Sequence, residues 1–200
     1  MYYVVYDDFL NDRDYGALKA YLSGGLGFPW NYSSRINDND KNNDDFYFAQ
    51  TIYTQHQPLT EQWNRMVDAQ LFSPLIEAIN YMSMTRIKCN MYMKSSSGEV
   101  YHHAKHVDYD NPNKGALFYL TTCNAPTTMA DGYEVQAVEN RMLFFDAGTP
   151  HSSSSPTNVK NRMTINFNYH GYGIRRDHLT QMRSQLPVVA ENPEKLVEFM

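Results

Sequence analysis

The residues of this 200-residue chain that could do chemistry together are a histidine and an aspartate two apart, His106 and Asp108, and His151 behind Pro150. Two imidazoles and one carboxylate give a divalent iron three ligands on one side. The remaining positions stay open to a co-substrate and dioxygen. Residues two apart in an extended segment leave the same face, so His106 and Asp108 need a strand. His151 must then arrive from a neighbouring strand or its exit loop. With seven histidines in the chain such a triplet also arises by chance, and its surroundings carry the reading.

Between the ligands lie Ala116-Leu117-Phe118-Tyr119-Leu120, Asp131-Gly132-Tyr133-Glu134-Val135 and Arg141-Met142-Leu143-Phe144-Phe145-Asp146, short β-rich runs punctuated by Gly, Pro and Asn. Eleven residues after His151, Arg162 opens the alternating segment Arg162-Met163-Thr164-Ile165-Asn166-Phe167. In this order the block resembles the 2-oxoglutarate- and Fe(II)-dependent dioxygenases, and within them the prolyl hydroxylase-like branch. The resemblance covers about residues 85–170, and the N-terminal third only in outline.

The resemblance implies that His106, Asp108 and His151 are the iron ligands and catalytic centre. Arg162 would pair with the distal carboxylate of 2-oxoglutarate, for which a planar two-pronged donor is suited. Tyr119 would touch the same carboxylate, and Thr164 shares the Arg162 face of its strand. Tyr92 is similar to a tyrosine that reaches the co-substrate from the preceding strand, although fourteen residues separate it from His106, where many relatives have fewer. The implied cofactors are Fe(II), 2-oxoglutarate as co-substrate and O2, with ascorbate in support. The implied reaction hydroxylates an unactivated C–H bond and releases succinate and carbon dioxide. Peptidyl proline is the first expectation for the substrate, and a free amino acid or small metabolite the next. The contrasting class is a jelly roll that binds metal and 2-oxoglutarate without turnover. The nucleobase-repair branch carries a second arginine six residues after the first; here that position is Asn168, which counts against base demethylation. Small stand-alone forms of marine phages and bacteria look similar, which implies a cytoplasmic location, the host's if phage-borne.

Elements must position these groups. Tyr2–Tyr6 reads as a strand, and Asn11 caps a helix with Tyr15, Leu18, Tyr21 and Leu22 at helical spacing, ended by Gly24-Gly25. Residues 26–45 read as a polar loop. Its Asn/Asp run lacks the glutamate a calcium loop needs at position twelve, where Ala49 stands. A strand over 46–54 follows, then helical structure from Pro58 to about Met82 with a break near Ser73-Pro74. Strands are expected at 86–94, 100–108, 115–122, 133–138, 141–146, 149–154 and 161–169, with helical segments at 175–186 and 193–199. This density predicts a mainly β fold with flanking helices, a double-stranded β-helix or jelly roll. It forms one domain over 1–200, with support in 1–85, the core in 86–170 and a helical tail in 171–200. The loop 26–45 and the tip 95–99 are the expected lids.

Composition agrees. Hydrophobic residues make up 42% and charged residues 20%, and sixteen tyrosines suit half-buried strands. A net charge of −5 without a basic stripe disfavours nucleic acid. No apolar run approaches the ~20 residues of a membrane span. Two cysteines are too few for a disulfide framework. The expected partner is a peptide or small-molecule substrate, with no nucleic acid, no membrane and oligomeric state open. His102 reads as a polar residue at the site mouth, and His103 as facing away from His106. Glu134 and Asp146 read as turn or edge acids, Arg141 as a solvated turn residue, and Leu120, Phe144, Phe145 and Phe167 as core.

Overall fold

The computed structural model describes residues 3–25, 27–36, 46–54, 57–58, 66–109, 113–181 and 189–190. In chain order the elements are β1 (Tyr3–Tyr6), α1 (Asp12–Ala20) with a π-helical turn Tyr21–Gly25, β2 (Asn31–Ser33), β3 (Tyr47–Thr54), β4 (Gln57–Pro58) and α2 (Met66–Ala78). The long β5 (Ile79–Met93), β6 (Tyr101–His102), β7 (Lys114–Tyr119), β8 (Cys123–Met129), β9 (Glu134–Ala137) and β10 (Arg141–Asp146) follow. The chain continues through β11 (His151–Ser152), β12 (Ser154–Ser155), β13 (Asn161–Ile174), α3 (Arg176–Gln181) and β14 (Val189–Ala190).

Among the described residues the larger sheet runs β14-β1-β10-β7-β13-β5-β3-β2, with β4 beside β3. Facing it are β11-β8-β9 and the pair β12-β6. Every strand pairing among the described residues is antiparallel, as in the expected jelly roll. Strand alternation sorts the side chains into two apolar layers. Ile87, Cys89, Phe118, Ile165 and Phe167 leave one face of the larger sheet and meet Leu18, Leu22, Phe72 and Leu75 of the helical cover. On the other face Leu117, Tyr119, Leu143 and Phe145 meet Ala125, Met129, Val135 and Ala137 of the smaller sheet. Leu120 and Phe144 are buried as expected. Asn11 caps α1 by accepting from the Asp14 backbone N–H, and Gly24, at φ 94°, takes the left-handed conformation that ends the turn.

Several boundaries differ from expectation. α2 runs through Pro74 without a break and stops at Ala78, and β5 begins at Ile79, where helix was expected to Met82. The extension pairs with an equally extended β13 through register shifts after Asn168 and His170. At Gly171 a Cβ would lie 2.4 Å from the Asn80 carbonyl oxygen, so the strands approach too closely there for a side chain. β2 lies inside the segment read as loop. β8 was missed outright because Pro126 breaks its pattern; the pairing of β8 with β9 shifts register between Cys123 and Thr127, and such an irregularity accommodates a proline. The expected ligand strand 100–108 is a strand only at Tyr101–His102, and the expected 149–154 strand divides into β11 and β12. α3 starts the tail helix; 182–188, 193–199, the acidic run 37–45 and the helix start 59–65 lie outside the described residues.

Candidate active site

The three predicted ligands converge between the sheets. Beyond β6 the chain meets β11 at a single bridge, where the His106 N–H donates to the His151 carbonyl and the His151 N–H to the His106 carbonyl, both at 2.9 Å. Two residues on, the Asp108 N–H donates to the Ala147 carbonyl at 3.0 Å. The backbone thus sets both imidazoles and the carboxylate without a continuous strand. The ligating atoms of His106, Asp108 and His151 all lie within 4.8 Å of one another. The His151 Nδ1–H donates to the Thr149 carbonyl at 2.9 Å, which leaves Nε2 its lone pair for a metal. Burial, and then the neighbouring His151, hold His106 below the ordinary histidine range, so its imidazole is neutral and able to ligate. The Phe145 ring stands edge-on to His151 at 4.9 Å and needs Gly115 beneath it, since a Cβ there would lie 2.5 Å from the ring.

Asp108 is 5% exposed at its side chain. Arg86 Nη2 donates to Oδ1 at 3.0 Å, and the Asn166 and Asn168 amides each donate to Oδ2 at 2.9 Å. Burial alone would push the carboxyl up; Arg86, His151 and the two amides outweigh it and hold it at about 2. Arg86 also donates to the Asn168 side-chain oxygen at 3.0 Å, closing the network. These three holders of Asp108 went unassigned in the sequence, where Asn168 stood only as a missing arginine.

β13 presents Arg162, Thr164, Asn166 and Asn168 in alternation, all buried, toward the smaller sheet. Arg162 is fully buried, its guanidinium 5.4 Å from the Tyr92 ring centre and 5.5 Å from that of Tyr119. Nη2 donates to Thr127 Oγ1 at 2.7 Å, and Nη1 makes a long contact of 3.5 Å to the Ser154 carbonyl. Nε has no acceptor, and among the described residues no carboxylate lies within salt-bridge distance of this cation. The Tyr119 hydroxyl also donates to Thr127 Oγ1, at 2.7 Å. Tyr92 and Tyr119 are the β5 and β7 partners of Arg162 and Thr164, respectively, so all four predicted co-substrate residues cluster. Burial raises both tyrosine hydroxyls above their usual range, against the nearby cation, and they remain neutral donors.

A cleft of about 170 Å³ opens onto His106 and Asp108, lined by Tyr47, Arg86, Lys88, Asn90, Tyr92 and Asn166 among others. Of the two expected lids, the 26–45 segment reaches it through Ile36, whereas 95–99 does not line it. His102 is exposed. His103 is buried, with Nδ1 2.7 Å from Ser153 Oγ and Nε2 3.1 Å from Ser155 Oγ; burial, then Arg162, push it down to about 3. Glu134 is an exposed strand end and Asp146 pairs with Lys114 at 2.6 Å, so neither orients a ligand. Arg141 departs from expectation: it grips Asp7 through two hydrogen bonds of 2.6 and 2.9 Å.

No protein-family model matches the sequence, and no curated protein matches it. Solved structures do share the fold. A Pseudomonas putida prolyl-4-hydroxylase is 14% identical, with a TM-score of 0.53 over 84% of this chain and 92% of that one. A Burkholderia pseudomallei oxidoreductase of the 2OG-Fe(II) oxygenase family gives 10% and 0.56 over 84% of each. A Trichoplax adhaerens prolyl hydroxylase, in complex with a peptide fragment of the hypoxia inducible factor oxygen degradation domain, gives 14% and 0.52 over 91% of this chain and 87% of that one. The chain has the double-stranded β-helix of these oxygenases.

Proposed function

We propose that the chain is an Fe(II)- and 2-oxoglutarate-dependent dioxygenase that hydroxylates an unactivated C–H bond. The observation that carries this is Arg162: a cation wholly removed from water, with an orphaned Nε and no carboxylate beside it among the described residues, costs several kcal/mol unless an anion completes it. A dicarboxylate whose near end reaches the His106, Asp108 and His151 triad and whose far end reaches Arg162 supplies that anion. The donor set fits iron, with two imidazoles and one carboxylate held ionised.

His106, Asp108 and His151 would hold Fe(II). Arg162 and Tyr119 would bind the distal carboxylate, with Tyr92 and Thr164 walling the co-substrate. Bound iron supplies the redox chemistry with O2, in which 2-oxoglutarate leaves as succinate and carbon dioxide and one oxygen enters the C–H bond. The protein's part is orientation. Arg86, Asn166 and Asn168 fix the carboxylate, Thr149 fixes the tautomer of His151, and the apolar layer of Leu117, Leu143 and Phe145 keeps water from one side. A prolyl residue of a peptide is the substrate favoured by the prolyl hydroxylases among the fold neighbours.

Calorimetric titration with 2-oxoglutarate tests the assignment of Arg162. Arg162→Leu should weaken binding by about two to four decades, the equivalent of ~3–5 kcal/mol for a buried charge left unpaired. Arg162→Lys should recover part of it. Unchanged affinity in the leucine variant would move the anchor elsewhere. Succinate formed in the presence of Fe(II), ascorbate and oxygen separates an enzyme from a module that binds without turnover.

A further inference from the structure

The cleft carries more positive charge than the co-substrate accounts for. β5 alternates Arg86, Lys88, Asn90 and Tyr92 onto the site face, while Ile87 and Cys89 pack into the core. Arg86 is ion-paired with Asp108. Lys88 is not: its ammonium donates to the neutral Tyr47 hydroxyl at 3.1 Å and lies 5.3 Å from that ring's centre, and no carboxylate among the described residues pairs with it. Among the described residues Asp108 is the only carboxylate lining the cleft.

Register places Lys88 directly across from Asn166, whose amide holds Asp108 Oδ2. Side chains directly opposite on one sheet face are about 5 Å apart at Cβ. Lys88 therefore stands one strand from the metal carboxylate, on the β3 side of the site, while Arg162 pairs with Tyr92 four residues further along β5. If iron, Asp108, a 2-oxoglutarate dianion and Arg162 are taken together, their charges cancel, and the cleft is left positive by Arg86 and Lys88. An ammonium on a flexible stem at the mouth of a half-enclosed cleft attracts and holds an anion.

We infer that the substrate carries a carboxylate, which Lys88 and the Tyr47 hydroxyl hold beside the metal centre so that a neighbouring C–H bond faces it. This rests on the oxygenase reading and narrows its substrate class. The carboxylate belongs either to a free amino or organic acid, or to an acidic side chain or C-terminus of a peptide. A neutral peptide segment would leave the ammonium without a counter-charge.

The test uses the full chain loaded anaerobically with Fe(II) and 2-oxoglutarate. It is titrated calorimetrically with two probe pairs that differ in charge alone: N-acetyl-L-proline against its methyl amide, and acetyl-Ala-Pro-Asp-amide against acetyl-Ala-Pro-Asn-amide. The anionic member of at least one pair should bind about tenfold or more tightly than its neutral partner, as a charge-assisted hydrogen bond implies. The first pair reports a free carboxylate and the second an acidic side chain. That preference should vanish in Lys88→Met and persist in Lys88→Arg, with 2-oxoglutarate affinity unchanged in both. Equal binding or no binding by both members of each pair, or a wild-type preference in Lys88→Met, would overturn the proposal. So would a fall in 2-oxoglutarate affinity in Lys88→Met, which would assign Lys88 to the co-substrate. If the unmodified chain fails to bind 2-oxoglutarate at all, the oxygenase reading itself fails, an outcome distinct from these.

Discussion

Each of the three candidate ligands has a different support, and their substitutions should fail for different reasons. His106→Ala, Asp108→Ala and His151→Ala should each abolish tight Fe(II) binding, and Asp108→Glu should do the same, because the longer side chain leaves Arg86, Asn166 and Asn168 gripping a displaced carboxylate. Iron titration of the four variants checks this; wild-type affinity in any alanine variant would remove that residue from the site. Thr127 was not foreseen, yet its hydroxyl oxygen accepts from both Arg162 and Tyr119. Thr127→Val preserves shape and strips that acceptor. It should cost about 1–3 kcal/mol of stability, read from urea melts, since two buried donors lose their partner. The grouping of His106, Asp108 and His151, and of Arg162 with Tyr92 and Tyr119, was legible because metal and carboxylate chemistry demand particular side-chain types at particular intervals. Thr127, Arg86 and Lys88 were not, because a lone threonine or cation in a strand acquires meaning only from what the opposite sheet brings to it.

At the scale of elements, the alternation of 161–169 was readable and is the face division of β13; the identity of its polar face as the holder of Asp108 was not. β8 was hidden by Pro126. The link between β6 and β12 was hidden too, since its centre is His103, a residue that sequence alone could only place on a face. His103 bridges Ser153 and Ser155 as a neutral imidazole, with a proton affinity pushed from the ordinary 6.5 down to about 3. The unfolded chain takes up a proton on this histidine below about pH 6.5, while the folded one refuses it until about pH 3. Acidification therefore favours unfolding across that window, with a slope of up to about 1.4 kcal/mol per pH unit. His106 and His178, also held low by burial, act in the same direction. Denaturant melts from about pH 7 to about pH 4 should show wild-type stability falling more steeply than that of His103→Gln. Parallel curves would mean that His103 is protonated in the folded state.

On the scale of the whole molecule, two apolar layers flank the larger sheet, and the site takes the part of the inter-sheet space that the second layer leaves unfilled. The fold class was legible from strand density, since short runs separated by turn residues admit few architectures. The lengthened ends of β5 and β13 were not, because tertiary pairing overrode weak local patterning. A buried, uncompensated Arg162 also predicts an opposition between function and stability. Ligand-free Arg162→Leu should melt no lower than the ligand-free wild type, having shed a desolvated charge. Adding 2-oxoglutarate to the Fe(II)-loaded protein should raise the melting temperature of the wild type further but not that of the leucine variant, because binding to the folded state stabilises it by mass action. A leucine variant that unfolds well below the wild type without ligand would show that Thr127 and the two tyrosines already satisfy the guanidinium.

The alternation of β13 makes the strand a ruler. Arg162 and Asn166 are separated by two full pleats, about 13 Å along the backbone, with the proposed anion anchor at one end and, at the other, the amide that holds Asp108. With that anchor and a metal on the triad, the gap between the two would change only in steps of whole residues, and a single-residue step would turn Arg162 out of the site altogether. A five-carbon keto-diacid that fits would then have no near miss. Its four-carbon homologue would fall short of the guanidinium, and its six-carbon homologue would have to buckle. Chain-length selectivity in this protein would then be a property of strand periodicity rather than of any one side chain that could be mutated to relax it.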